Sequence, residues 1–134
     1  MKDSDNWETP GWLMNMFRNW YDPCPLGGYN TNRDDLDGEW ELMYQYPGIY
    51  INPPYSDVTP WVDKAIRTHQ RYMAIGVRVP IVMLLKHDSS TKWFAKLQEA
   101  GARFLMIQGR LNFKSPNAIK HSCSPFPSVL AVLS

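Results

Sequence analysis

The tetrapeptide Asn52-Pro53-Pro54-Tyr55 ends the apolar run Gly48-Ile49-Tyr50-Ile51 with an amide, two prolines and an aromatic ring. Asn52 offers a side-chain oxygen as a hydrogen-bond acceptor. Pro53 offers a carbonyl whose direction is restricted by its own locked φ and by the proline that follows. Two acceptors of this kind suit a planar amine such as the exocyclic amine of adenine, whose lone pair is delocalised into the ring. Holding both N–H bonds returns electron density to nitrogen and makes it a better nucleophile. Tyr55 adds a flat face for stacking a base, worth roughly 1–3 kcal/mol, and a base in a duplex must be flipped out to reach such a pocket. The plainer alternative is a strand-ending turn, in which Asn and Pro are common.

The surrounding pattern alternates strands with helices. Thr9-Pro10 opens a first helix that places Trp12, Leu13, Met16, Phe17 and Trp20 on one face. The segment after Gly48 reads as a buried strand, and Thr59-Pro60 opens a second helix whose buried stripe is Val62, Ala65, Ile66, His69 and Met73. Pro80–Lys86 reads as a second buried strand, followed by a helix capped by Ser90, carrying Trp93, Phe94 and Leu97, and closed by Gly101. Arg103–Gln108 and Ser128–Leu133 complete the set. Continuous apolar strands between amphipathic helices predict an α/β sandwich with a mostly parallel sheet, helices on both faces and the last strands antiparallel at one edge. In an open parallel sheet ligands bind beyond the carboxyl ends of the strands. Asn52–Tyr55 has that position, and Asp22-Pro23-Cys24 is the second such strand end.

At 134 residues, 44% hydrophobic and 20% charged, the chain suits a single domain over 1–134 with room for a substantial core. A net charge of +1 gives no strong basic field, so nucleic-acid binding rests on local patches rather than on overall charge. Cys24 and Cys123 lie far apart and form no metal-ligand pattern with the three histidines, which favours two reduced thiols, no metal and a cytoplasmic protein. No apolar run approaches the roughly 20 residues that cross a bilayer. The Gly/Asn/Asp-rich stretch from Gly27 to Gly38 is the longest irregular part.

Asn52-Pro53-Pro54-Tyr55 resembles the catalytic motif of amino-group methyltransferases that use S-adenosylmethionine. The flanking sequence is similar to the phage-type DNA N-6-adenine methyltransferase (Dam) family. Trp7-Glu8-Thr9-Pro10 matches that family's Trp-x-Thr-Pro segment, Asp22-Pro23-Cys24 its Asp-Pro-Cys, and Trp61–Ala65 the helix after the catalytic motif. Gly109–Phe113 and Ser124–Ser128 resemble its end. The resemblance covers nearly the whole chain. It implies a minimal Rossmann-like methyltransferase sandwich, shortened in its cofactor half, because few residues separate Asp22 from Asn52 and Gly27-Gly28 has no wider glycine-rich context.

The resemblance also implies roles. Asn52, Pro53, Pro54 and Tyr55 would be catalytic. Trp7, Thr9, Pro10, Asp22, Pro23 and Cys24 would bind S-adenosylmethionine, with Asp35, among the candidates Asp34, Asp35 and Asp37, on the ribose hydroxyls. Lys114, Lys120 and His121 would contact double-stranded DNA, and Lys86, His87 and Lys92 flank another strand end as further phosphate contacts. His87 has no catalytic task here, since a neutral amine attacking a sulfonium needs no strong base. With no separate target-recognition domain, sequence choice would be low or supplied by a homodimer partner or second subunit. If the chain is phage-encoded, its place is the host cytoplasm. Two alternatives remain open: methylation of another planar amine (cytosine N4, RNA adenine or a protein glutamine), and a degenerate, non-catalytic family member that binds nucleic acid or a partner.

Overall fold

The computed structural model describes residues 11–25, 36–109, 112–114, 121–123 and 127–134, with the backbone alone described at 112–114 and 121–123. In chain order the elements are helix α1 (Gly11–Met16), a 3-10 turn (Trp40–Leu42), strand β1 (Ile49–Ile51), helix α2 (Thr59–Ile75), β2 (Ile81–Lys86), helix α3 (Lys92–Glu99), β3 (Arg103–Met106), β4 (Asn112–Lys114), β5 (His121–Cys123) and β6 (Ser128–Leu133). Four strands form one sheet in the order β1-β2-β6-β3, while β4 and β5 pair as a separate ribbon. Tyr21 adds an isolated parallel bridge to Ile49, beyond β1. Among the described residues no helix is long and apolar enough to cross a membrane.

The sheet buries both faces, and its period of two sorts the side chains. Ile49, Ile51, Ile81, Met83, Leu85, Val129, Ala131 and Leu133 join one core with residues of α2 and α3. Tyr50, Val82, Leu84 and Leu130 join the other with Leu13 of α1 and Phe17. Strands covered on both sides read as unbroken apolar runs, which is why β1, β2 and β6 are plain in the sequence. Helices on both faces are therefore as expected.

The mostly parallel sheet is not. Only β1 and β2 pair in parallel, whereas β6 is antiparallel to both β2 and β3. The physical reason is the connection. Parallel neighbours need a long crossover, which α2 supplies between β1 and β2, but the chain leaves β3 through the β4–β5 ribbon and returns as β6 in the opposite direction. Nor does β6 lie at an edge. It fills the space between β2 and β3, so the fold is mixed α/β with one parallel pair in the four-stranded sheet.

Three helix expectations also change. α1 stops at Met16, and Asn19 takes a left-handed φ of 70 soon after, so the single stripe breaks up: Leu13 and Phe17 are buried but Trp12 and Met16 are exposed. On α2 the buried residues are Trp61, Val62, Ala65, Thr68, His69 and Tyr72, with Ile66 packed at the margin. Tyr72 completes that stripe, and Met73, one step of about 100° further round, is 67% exposed. Thr91, rather than Ser90, caps α3, its hydroxyl oxygen accepting from Phe94 N–H at 3.3 Å. Ser90 instead donates to Asp88. Gly101 closes α3 as expected, with φ 83 and Ala102 N–H donating to Leu97 at 3.0 Å. The run Arg103–Gln108 forms a strand over Arg103–Met106. β3 pairs on one side only, and Leu105 and Met106 remain exposed.

Gly48 governs the approach of α1 to the sheet. A Cβ there would come within 2.4 Å of the Trp20 ring, and Trp20 packs edge-on against Phe17, which stacks on Tyr50 at 4.5 Å. Gly48→Ala should therefore force the aromatic stack apart and cost about 1–3 kcal/mol. Chemical denaturation checks the loss. The accompanying change in tryptophan fluorescence reports whether Trp20 has moved.

Candidate active site

The two motif-bearing strand ends are neighbours. Tyr21 N–H donates to Gly48 O and Tyr50 N–H donates to Tyr21 O, both at 2.9 Å, so Tyr21 lies parallel to β1 like a short edge strand. Asp22-Pro23-Cys24 and Asn52-Pro53-Pro54-Tyr55 follow these two strands directly and leave the same edge of the sheet. β2 runs the same way and ends there at Lys86.

Within the first motif, Asp22 Oδ1 accepts the N–H of Cys24 at 2.9 Å, a short loop that fixes the carboxyl. Pro23 and Cys24 are buried beneath it. Burial pushes the Asp22 carboxyl up to about 6, and the Cys24 N–H pulls it back only in part. Such a carboxylate gains from a cationic neighbour.

In the second motif both prolines are buried and Asn52 is half-buried. Pro54 O accepts from Asp57 N–H at 3.0 Å, whereas no described backbone hydrogen bond uses Pro53 O. The carbonyl singled out from the sequence is thus the one the turn leaves to other partners. Tyr55 is half-buried with its hydroxyl inside, and burial, followed by the nearby Tyr50, raises the energy of ionising that hydroxyl. The hydroxyl stays neutral at any working pH.

The segment entering the 3-10 turn is tied to α2. Lys64 Nζ donates to Leu36 O at 2.5 Å and to Gly38 O, and lies 5.0 Å from the centre of the Trp40 ring. Trp40 in turn stacks on Trp61, and its carbonyl accepts the Tyr72 hydroxyl. These contacts anchor the C-terminal end of the aspartate-bearing loop. No local pattern links Lys64 to a loop so far upstream, so this anchor was not legible in the sequence.

Other sequence candidates divide. Trp7, Thr9, Pro10, Asp34, Asp35 and Lys120 lie outside the described residues, as do Gly27 and Gly28; for Lys114 and His121 only the backbone is described. Asp37 is exposed. Lys86 stands 3.7 Å from Asp88, and Lys92 is exposed in the first turn of α3. The His87 ring stacks near Phe94 at 6.2 Å, while the backbone N–H of His87 donates to Pro127 O at 2.9 Å. Among the described residues no cluster of three His, Cys, Asp or Glu could hold a metal. A cavity of about 680 Å³ lined by His69, Tyr72, Arg78 and Arg103 opens at the opposite, amino end of β2 and β3. It takes no part in the strand-end site.

Adjacent strand ends thus bring a partly buried carboxylate on one side and an amide with a proline carbonyl on the other to one edge of a mixed α/β sheet. The chain belongs to the DNA N-6-adenine-methyltransferase (Dam) family, whose model matches residues 1–133. It is similar to a DNA N-6-adenine-methyltransferase of Haemophilus phage HP1 (strain HP1c1), 30% identical over an alignment 106 residues long that covers 69% of this chain and 56% of that protein. The chain thus spans little more than half the length of this curated relative. No solved structure matches it.

Asp22 yields a test with a definite sign. Its folded-state value lies above the ordinary 3.8, so the folded protein holds this proton more tightly than the unfolded chain does. Stability without ligand should fall as pH rises from about 4 through about 6. Asp22→Asn removes the buried charge and should stabilise the ligand-free protein at pH 7.5 by up to about 3 kcal/mol. Thermal melts of both proteins between pH 4 and 8 should diverge across that window.

Proposed function

We propose that the chain is a DNA adenine-N6 methyltransferase that uses S-adenosylmethionine and acts on a flipped adenine. One observation carries the reading: Tyr21 and β1 lie side by side in parallel, which sets the Asp22 motif next to the Asn52 motif. Family membership and the phage relative's name support the same chemistry.

The residues at Asp22 fit the cofactor. A carboxylate partly removed from water and fixed by Cys24 N–H suits a cationic ligand group, and the methionine part of S-adenosylmethionine carries an ammonium beside its sulfonium. Pro23 and Cys24 floor that subsite, and the family's motif pattern assigns Trp7, Thr9 and Pro10 to the same cofactor and Asp35 to its ribose. When bound, S-adenosylmethionine supplies an electrophilic methyl group.

The remaining work falls to the second motif. Asn52 Oδ1 and Pro53 O accept the two N–H bonds of the target amine, orient its lone pair and stabilise the positive charge that grows on nitrogen. Pro54 fixes the direction of the Pro53 carbonyl by restricting the residue before it. Tyr55 presents a ring face to the flipped base, and its neutral hydroxyl adds no charge to the pocket. Lys114, Lys120 and His121 contact DNA from outside the sheet.

Asn52→Ala tests the assignment. The lost acceptor matters most in the transition state, so turnover should drop roughly 100-fold or more while cofactor binding is kept. Tyr55→Ala should raise KM for DNA, and Tyr55→Phe should keep most activity because the ring survives. Single-turnover methylation assays, paired with thermal shift by S-adenosylhomocysteine, separate these effects. An Asn52→Ala enzyme that methylates at the normal rate reduces the tetrapeptide to a turn.

A further inference from the structure

The chain between β3 and β6 carries basic residues and no acidic ones. Residues 107–127 contain Arg110, Lys114 and Lys120, three of the 14 lysines and arginines, and none of the 13 acidic residues. The rest of the chain is net acidic. A segment free of carboxylates in a nearly neutral protein is a local polyanion site in the making.

Topology decides where this segment emerges. β2 and β3 are both antiparallel to β6, so they run the same way, and β3 ends at the edge that carries Asn52 and Asp22. β6 starts at that same edge, where Ser128 pairs with Lys86 and Pro127 O accepts from His87 N–H at 2.9 Å. Both roots of the segment are thus tied to the site edge. Between them the backbone forms the antiparallel β4–β5 ribbon. Its register pairs Asn112 with Cys123 and Lys114 with His121 on one face, and Phe113 with Ser122 on the other. Asn112, Lys114 and His121 therefore hold register positions on one face of the ribbon.

We infer that this ribbon docks in the major groove of duplex DNA beside the target base and sets which adenines are chosen. The inference rests on the proposed DNA-directed activity and deepens it. The major groove, about 12 Å wide, admits a two-stranded ribbon, and Asn and Lys are suited to the edges of adenine and guanine there. Lys114 lies eight positions beyond Met106, a reach of at most about 27 Å, against a groove about 8.5 Å deep. The deep, narrow major groove of A-form RNA does not admit such a ribbon, so the partner is DNA. The ribbon would supply in cis the target reading for which a separate domain is missing from these residues.

The test uses the full chain and two independent readouts. Duplex affinity is measured by fluorescence anisotropy over a range of salt, and site choice by sequencing the methylated positions in a duplex library with randomised flanks. Lys114→Ala should weaken DNA binding about tenfold and make the salt slope shallower by about one, and Lys114→Arg should restore both, which a folding defect would not allow. Asn112→Ala with His121→Ala should change the bases favoured around the methylated adenine while the thermal shift with S-adenosylhomocysteine is retained. Wild-type binding to DNA that depends on Lys114, without methylation, would sink the activity and leave the ribbon standing. Methylation with unchanged affinity and unchanged flank preference in both variants would overturn the ribbon alone. Equal affinity for duplex RNA would overturn it too.

Discussion

Two backbone hydrogen bonds, from Tyr21 N–H to Gly48 O and from Tyr50 N–H to Tyr21 O, hold the chain before Asp22 alongside β1. Everything proposed for the site depends on them, because they bring two motifs thirty residues apart to adjacent positions on one edge. The bonds need close approach at Gly48, where the Trp20 ring leaves no room for a Cβ. They are backed by the Phe17–Tyr50 stack, which presses α1 against the sheet from the other side. Position at the site is thus set by aromatic packing some distance from the chemistry. Such packing is a stiff support, since protein interiors deform little.

The same edge collects most of what the protein needs. The carboxyl ends of the Tyr21 segment, β1, β2 and β3 all lie there, and so do both roots of the β4–β5 ribbon. This follows from β6 running antiparallel between β2 and β3. Had the chain returned through a helix as a parallel strand, the segment before it would have crossed to the far edge, and the acid-free stretch would face away from Asn52. The antiparallel insertion that departs from the simple α/β expectation is therefore what puts the candidate DNA-reading element beside the candidate catalytic one.

The sequence disclosed the parts whose physics is local. β1, β2 and β6 are buried on both faces and so read as unbroken apolar runs, and Pro60 at the start of α2 and Gly101 after α3 mark boundaries without help from packing. Asn52–Tyr55 was legible because an amide and a restricted carbonyl after a buried strand have few uses. Strand order was not, since a hydrophobic run carries no label for the direction of its neighbour. The exposure of Trp12, Met16 and Met73 was hidden for a related reason: a helical stripe is broader than the contact it meets, and only the docked partner decides which members are covered. Lys64 is the plainest case of a non-local contact, with its ammonium bonded to two carbonyls from a loop nearly thirty residues upstream.

The central claim is that the paired strand ends move a methyl group onto the N6 amine of adenine in DNA. It is tested most directly by incubating the protein with unmethylated duplex DNA and S-adenosylmethionine bearing a deuterated methyl group, then digesting the DNA to nucleosides for mass spectrometry. The account predicts N6-methyldeoxyadenosine carrying three deuterium atoms, formed in proportion to enzyme and abolished by Asn52→Ala. Label recovered in N4-methyldeoxycytidine instead, or no labelled nucleoside from protein shown to bind the cofactor, would contradict it.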